Sequence, residues 1–257
     1  MSTLSVHGLS VHFRNRLVLD VARLDFSSNG LVGLIGANGA GKTTLLRALA
    51  GLIRVHGNVR YRDQDLQTMP TAQRARCVAY LPQNADAQWP LSVEQLVALG
   101  RLPHRRALSA MQDTDRQAMR WAMAAVDVGH LAQRPITALS GGERSRALLA
   151  RSLAVQAPLL MVDEPTASLD PYHQLLIMEV LSNYARNKGL VISVLHDLNL
   201  AARFCDRLVL VHDGAIAADG TSEQVLGDDE LARCYQVRVV RHQHDGPIIV
   251  PIARTDA

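Results

Sequence analysis

The chain has 257 residues, 48% of them hydrophobic and 20% charged, which allows one to two globular domains and excludes wholesale disorder. Lys plus Arg number 27 against 24 Asp plus Glu, and a scattered excess of +3 is no argument for nucleic-acid binding. No apolar run approaches the roughly 18 residues of a membrane span, and the first residues lack a basic cluster followed by an apolar stretch; the expectation is a soluble chain that is not exported.

Over residues 1–30 apolar and polar positions alternate, at Leu4 and Val6 and again at Leu17, Leu19, Val21, Leu24 and Phe26. Period two predicts antiparallel strands. Leu31-Val32-Gly33-Leu34-Ile35 is apolar on both faces, the pattern of a buried parallel strand. A glycine-rich turn follows, then helical spacing from Thr44 that stops at Gly51. Residues 56–82 read as short strands and turns. From 92 to about 132 the pattern is helical, broken at Pro103, and a second helix spans 141–155. Buried strands return at 159–163 and 190–195, with a crossover helix over 171–186; strand, helix, strand predicts a parallel sheet covered on both faces. Residues 207–218 read as a hairpin turning at Asp213-Gly214, a type I′ pair. A short helix over 228–236 and an alternating tail complete the chain. The expectation is one α/β unit over 1–257, with a helical insertion at about 84–155 and a short C-terminal extension at about 221–257.

Three cysteines, Cys77, Cys205 and Cys234, are far apart and form no CxxC pair, so reduced thiols fit better than a disulfide scaffold or a zinc site.

Gly36-Ala37-Asn38-Gly39-Ala40-Gly41-Lys42-Thr43 fits G-x-x-x-x-G-K-[ST] between a buried strand and a helix. Glycines let backbone N–H groups turn inward round phosphate oxygens, and the helix N-terminus adds partial positive charge. Lys42 supplies a compact charge for the β- and γ-phosphates, and Thr43 a hydroxyl for Mg²⁺. Lys42 is one of only two lysines among the 27 basic residues, the other being Lys188. The plain alternative is a glycine-rich turn without a ligand.

The strand at 159–163 ends in Asp163-Glu164. Ligands of an open parallel sheet lie beyond the carboxyl ends of its strands, the edge at which the glycine-rich loop also emerges. Asp163 can approach Mg²⁺ and Glu164 can orient an attacking water, which is most of what phosphoryl transfer requires; otherwise the pair is a solvated acidic turn. Farther up the chain, Ser140-Gly141-Gly142-Glu143 reads as a capping box, S-x-x-E. Two glycines in a first helical turn cost roughly 1 kcal/mol each, so a close backbone or anion is expected there. Two phosphate-binding features and one acid pair point to a dimer in which this loop closes over the partner's nucleotide.

In this order and spacing, the phosphate loop, Leu139-Ser140-Gly141-Gly142-Glu143 and the Asp163-Glu164 strand end resemble the ATP-binding subunit of an ABC transporter, over essentially the whole chain. The resemblance implies ATP and Mg²⁺ as cofactors, with Gly36 to Thr44 holding ATP and Thr43, Gln83 and Asp163 near the metal. Glu164 is implied to be the catalytic base, with His196 contacting the γ-phosphate. Gln83 would also sense a transmembrane subunit, Asp170 of Ser168-Leu169-Asp170 would touch the opposite ATPase subunit, and Phe13, 29 residues before Lys42, would stack on adenine. Ser145 departs from the glutamine frequent in the family. The stretch 93–104, His196-Asp197-Leu198-Asn199-Leu200-Ala201 and the run 225–235 are similar to importers of iron chelates, haem and cobalamin. For such a subunit the resemblance implies ATP hydrolysis coupled to uptake, a homodimer, a permease partner docked near 83–91, an indirect periplasmic substrate-binding protein, no nucleic acid, and a peripheral place on the cytoplasmic face of the inner membrane. Another transporter class, or a soluble ABC ATPase outside transport, stays open.

Overall fold

The computed structural model describes residues 3–14, 16–26, 29–83, 90–105, 110–243 and 247–255. The chain begins with β1 (Leu4–Phe13) and β2 (Arg16–Phe26), which pair antiparallel with Leu4 opposite Phe26. It continues through β3 (Gly30–Ile35), α1 (Lys42–Leu49), β4 (His56–Tyr61), β5 (Gln64–Asp65), α2 (Thr71–Cys77) and β6 (Val78–Leu81). The helical region holds α3 (Val93–Ala98), α4 (Asp113–Ala125) and α5 (Gly141–Ala154). Then follow β7 (Leu159–Asp163), α6 (Pro171–Asn187), β8 (Leu190–Val194), α7 (Leu198–Phe204), β9 (Arg207–His212) and β10 (Ala215–Gly220). The chain closes with α8 (Ser222–Val225), α9 (Asp228–Tyr235), β11 (Val237–Gln243) and β12 (Pro247–Arg254).

Two sheets carry the fold. One has the order β2-β1-β4-β5; the other has the order β10-β9-β3-β8-β7-β6 and is parallel except at β10. The parallel strands bury both faces, which explains their unbroken apolar sequences. Leu31 and Ile35 of β3, Leu160 and Val162 of β7 and Val191 of β8 enter one core, shared with the helical region. Val32 and Leu34, Leu159 and Met161, and Leu190 and Ile192 enter a second, shared with the antiparallel sheet and α1. Each fully buried Leu, Ile or Val contributes roughly 1.5–3 kcal/mol relative to exposure.

The hairpin expected at Asp213-Gly214 joins β9 to β10 with φ of 46° and 77°, as a type I′ turn requires. A Cβ on Gly214 would lie 2.4 Å from the Val18 carbonyl oxygen, so only glycine fits. Residues 56–82, read as strands and turns alone, also contain α2. Thr71-Ala72-Gln73-Arg74-Ala75-Arg76-Cys77 buries no residue and has no apolar stripe to reveal its period.

The helical region is fastened by a buried ion pair. Arg101 Nε donates to Asp115 Oδ1 at 2.9 Å and Nη1 to the Ala154 carbonyl at 2.6 Å, tying α4 to the end of α5. Burial pushes the Asp115 carboxyl up, but Arg101 and the Gln112 N–H outweigh it and hold it below its usual range. Arg101→Leu strands a buried carboxylate and is expected to cost about 3–5 kcal/mol in urea unfolding, whereas Arg101→Leu with Asp115→Leu recovers most of that loss. Equal costs for the single and double variants would contradict this reading.

Candidate functional site

The phosphate-loop motif occupies the turn between β3 and α1. Gly36 has a φ of 146°, and a Cβ there would lie 2.1 Å from the Val211 carbonyl oxygen. Gly41 stands as the N-cap of α1 with a φ of 107°, offering no side-chain cap, and the first turn of α1 has no acid. By contrast Ser92, Ser140, Asp170, Asp197 and Thr221 cap α3, α5, α6, α7 and α8. Among the described residues the leading N–H groups of α1 therefore have no side-chain acceptor, while Gly41, Lys42, Thr43 and Thr44 line a cleft of about 530 Å³. Lys42 is 6% exposed, and its ammonium donates to the carbonyls of Gly36 (2.7 Å) and Ala37 (2.9 Å). Among the described residues no carboxylate forms an ion pair with it. Burial holds its pKa below the ordinary lysine value, with Glu164 and Asp163 opposing from a distance. A buried cation beside uncapped N–H groups is a binding place for an anion.

The acids arrive on neighbouring strands. Asp163 ends β7 and is buried. Thr43 Oγ1 donates to its Oδ1 at 3.1 Å, and the Tyr80 hydroxyl lies 3.5 Å from Oδ2 and receives Arg47 Nε at 3.3 Å. Burial pushes the Asp163 carboxyl above its usual range. Glu164 turns out of the strand at a φ of 53°, a left-handed conformation costing on the order of 1–3 kcal/mol in a non-glycine residue. Its Oε1 lies 2.6 Å from His196 Nε2, brought by the loop after β8. Glu164, His196, Gln83, Asn38, Gly39 and Val18 complete the cleft lining. The Thr43 hydroxyl, the Asp163 carboxylate and the Gln83 amide are hard oxygen donors of the kind Mg²⁺ takes alongside phosphate oxygens. The group fits that ion.

Other expected residues lie apart from this cleft. Ser140 and Glu143 form the capping box at α5, Ser140 N donating to Glu143 Oε2 at 2.8 Å and Glu143 N to Ser140 Oγ at 3.3 Å. A Cβ on Gly141 would meet nothing within 4 Å, whereas one on Gly142 would press Leu169 at 3.3 Å. Gly141 thus faces open space and Gly142 abuts the segment before Asp170. Asp170 caps α6 and accepts from His173 N at 3.0 Å. Within the loop, the Ala40 N–H donates to the Ala37 carbonyl, and the Ala40 carbonyl accepts from Gly214. Phe13 is 52% exposed at the end of β1 and does not line the cleft; Val18 of β2 does. Sequence reading did not identify Val18, Tyr80 or Arg47, for they belong to no motif and their partners lie in distant segments.

Because Asp163 pays a desolvation penalty when ionised, its folded-state pKa exceeds the unfolded value, and its contribution weakens stability as pH rises from the unfolded value through the folded one. Asp163→Asn is expected to raise the nucleotide-free melting temperature at neutral pH by a few degrees, about what 1 kcal/mol gives. A lower melting temperature would show that the carboxylate's bonds to Thr43 and Tyr80 outweigh its burial.

Residues 19–167 match the ABC transporter family. The cobalamin import ATP-binding protein BtuD of Halobacterium salinarum is 42% identical over 92% of this chain, which spans 60% of the length of that relative. The hemin import ATP-binding protein HmuV of Pseudomonas aeruginosa is 41% identical over 96% of this chain and 99% of its own. Among solved structures, a chain of an inward-facing ABC transporter superposes with a TM-score of 0.83 at 24% identity, covering 98% of both chains, a likeness of fold. With its phosphate loop, acid pair and capped glycine pair in family order, the chain belongs to the ABC transporter family.

Proposed function

We propose that this chain is the ATP-hydrolysing subunit of an ABC importer, coupling ATP binding and hydrolysis to uptake of an iron chelate, haem or cobalamin. The observation that carries the reading is Lys42, a buried ammonium held by the Gly36 and Ala37 carbonyls beneath an uncapped helix N-terminus. The β- and γ-phosphates supply the missing negative charge, Asn38, Gly39 and Gly41 to Thr44 donate backbone N–H groups, and the base extends past Val18 toward the exposed ring of Phe13. Thr43, Asp163 and Gln83 would hold Mg²⁺, which when bound neutralises phosphate charge. Glu164 orients a water and accepts its proton as the water oxygen bonds to the γ-phosphorus and the bond to the ADP oxygen breaks. His196 fixes the Glu164 carboxylate and reaches toward the γ-phosphate.

The second half of each site comes from another copy. Gly141 and Gly142, flanked by the capping pair Ser140 and Glu143, present backbone without side chains at the first turn of α5 to the partner's nucleotide, and Asp170 faces the same interface. Among the described residues no helix is long and apolar enough to cross a membrane. In this reading translocation belongs to a permease, fed by a periplasmic binding protein, with this subunit on the cytoplasmic face. Of the expected permease contact at 83–91, residues 84–89 lie outside the described residues. Tyr80, Leu99, Pro103 and Arg151 line a groove of about 210 Å³, and Leu99 and Leu102 expose apolar surface.

Glu164→Gln is expected to lower ATP turnover by about 10²–10⁴-fold while ATP still binds. Turnover at the wild-type rate would remove Glu164 as the base.

A further inference from the structure

Gly36, the first residue of the phosphate loop, is buried, and its N–H donates to the Tyr235 hydroxyl at 2.6 Å across 199 positions of sequence. Its φ of 146° and the Val211 carbonyl against its Cα leave that N–H little freedom to turn elsewhere. Gly36 does not line the cleft, so this donor is not among those that meet the nucleotide. We propose that Tyr235 is a positioning residue: its hydroxyl pins the start of the phosphate loop and holds the loop in its binding shape before ATP arrives.

Tyr235 is itself held by the C-terminal extension. It ends α9; Gln236 then takes a φ of 57° and turns the chain into β11, and its carbonyl accepts from Thr255 N at 2.9 Å, locking the far end of the β11–β12 hairpin back onto α9. Arg241 of β11 bonds Asp228 of α9 at 2.7 Å and also the Leu226 carbonyl. The hairpin is seated on α7, where Ile249 N donates to Asn199 Oδ1 at 2.7 Å and Asn199 Nδ2 to the Ile249 carbonyl at 3.4 Å. Asn199 lies three residues after His196. One small unit thus reaches both the phosphate loop and the helix that follows the histidine, and the extension acquires a task at the ATP site.

Removing only the hydroxyl, as in Tyr235→Phe, keeps the ring and leaves a buried N–H without an acceptor. In the nucleotide-free variant the loop relaxes until that N–H finds water. ATP must then rebuild the cradle, so the lost preorganisation appears in binding rather than in the saturated chemical step.

The inference rests on the loop being the ATP site, so the test carries a second variant. In the full-length chain, Tyr235→Phe is expected to raise the KM for ATP about tenfold with kcat kept. An unchanged KM, or a fall in kcat alone, would overturn the proposal. Should Lys42→Ala bind a fluorescent ATP analogue as tightly as wild type, the ATP reading itself fails; should Lys42→Ala lose binding while Tyr235→Phe keeps the wild-type KM, only the brace fails. Amide exchange in the wild-type protein decides the matter if Tyr235→Phe does not fold. The Gly36 N–H is expected to exchange far more slowly than those of Asn38 and Gly39 without nucleotide, and equally fast exchange would refute the brace.

Discussion

A buried ammonium that no carboxylate contacts among the described residues governs this structure. Lys42 is enclosed by the loop that carries it, its charge met by the Gly36 and Ala37 carbonyls. Such a charge is costly to bury, and burial already draws its pKa down. The surroundings are built to keep the loop closed round it. β3 enters from the centre of the sheet, the β9–β10 hairpin presses the Val211 carbonyl on Gly36, and Gly214 donates to the Ala40 carbonyl. Glycine is required where these backbones meet, because a Cβ would collide with a carbonyl that has no room to retreat. In the proposed function an arriving polyphosphate would supply the negative charge that Lys42 lacks and acceptors for the uncapped α1.

The chemistry is then a matter of which strand ends share an edge. β3, β8 and β7 are neighbours in that order, so the phosphate loop, His196 and the acid pair emerge side by side although 121 to 154 positions separate the acids and the histidine from Lys42. Glu164 reaches the cleft only by adopting a left-handed backbone, local strain tolerated because the sheet on one side and the Glu164–His196 contact on the other fix it. Asp163, one residue earlier, stays in the strand and is buried. Adjacent carboxylates thereby occupy different environments: burial pushes one toward its neutral form, and the other lines the cleft against His196.

Much of this was legible in the sequence. The G-x-x-x-x-G-K-T string has a fixed spacing because loop closure round a phosphate has a fixed size, and apolar runs at 31–35, 159–163 and 190–195 could only be strands covered on both faces. The capping box at Ser140 and Glu143 formed as its pattern demands. What stayed hidden depends on tertiary placement. α2 has no apolar period because it buries nothing. Val18 rather than Phe13 lines the cleft, since that depends on how the β1–β2 ladder lies against the loop. Tyr235 lies in an ordinary helical stretch, and nothing local indicates that its hydroxyl meets Gly36 at the other end of the chain.

In the proposed dimer the site is completed across two copies, the α5 N-terminus of one chain closing over the phosphate loop of another. The most direct measurement is oxidative cross-linking of a chain carrying Asn38→Cys, Ser140→Cys and Glu164→Gln, with the parent Glu164→Gln chain as control. Burial raises the pKa of Cys77, Cys205 and Cys234, which keeps the native thiols a poor background. A disulfide-linked dimer is expected to form with ATP and to be absent without it. A dimer of equal yield with and without ATP, or none in either state, would contradict the shared site.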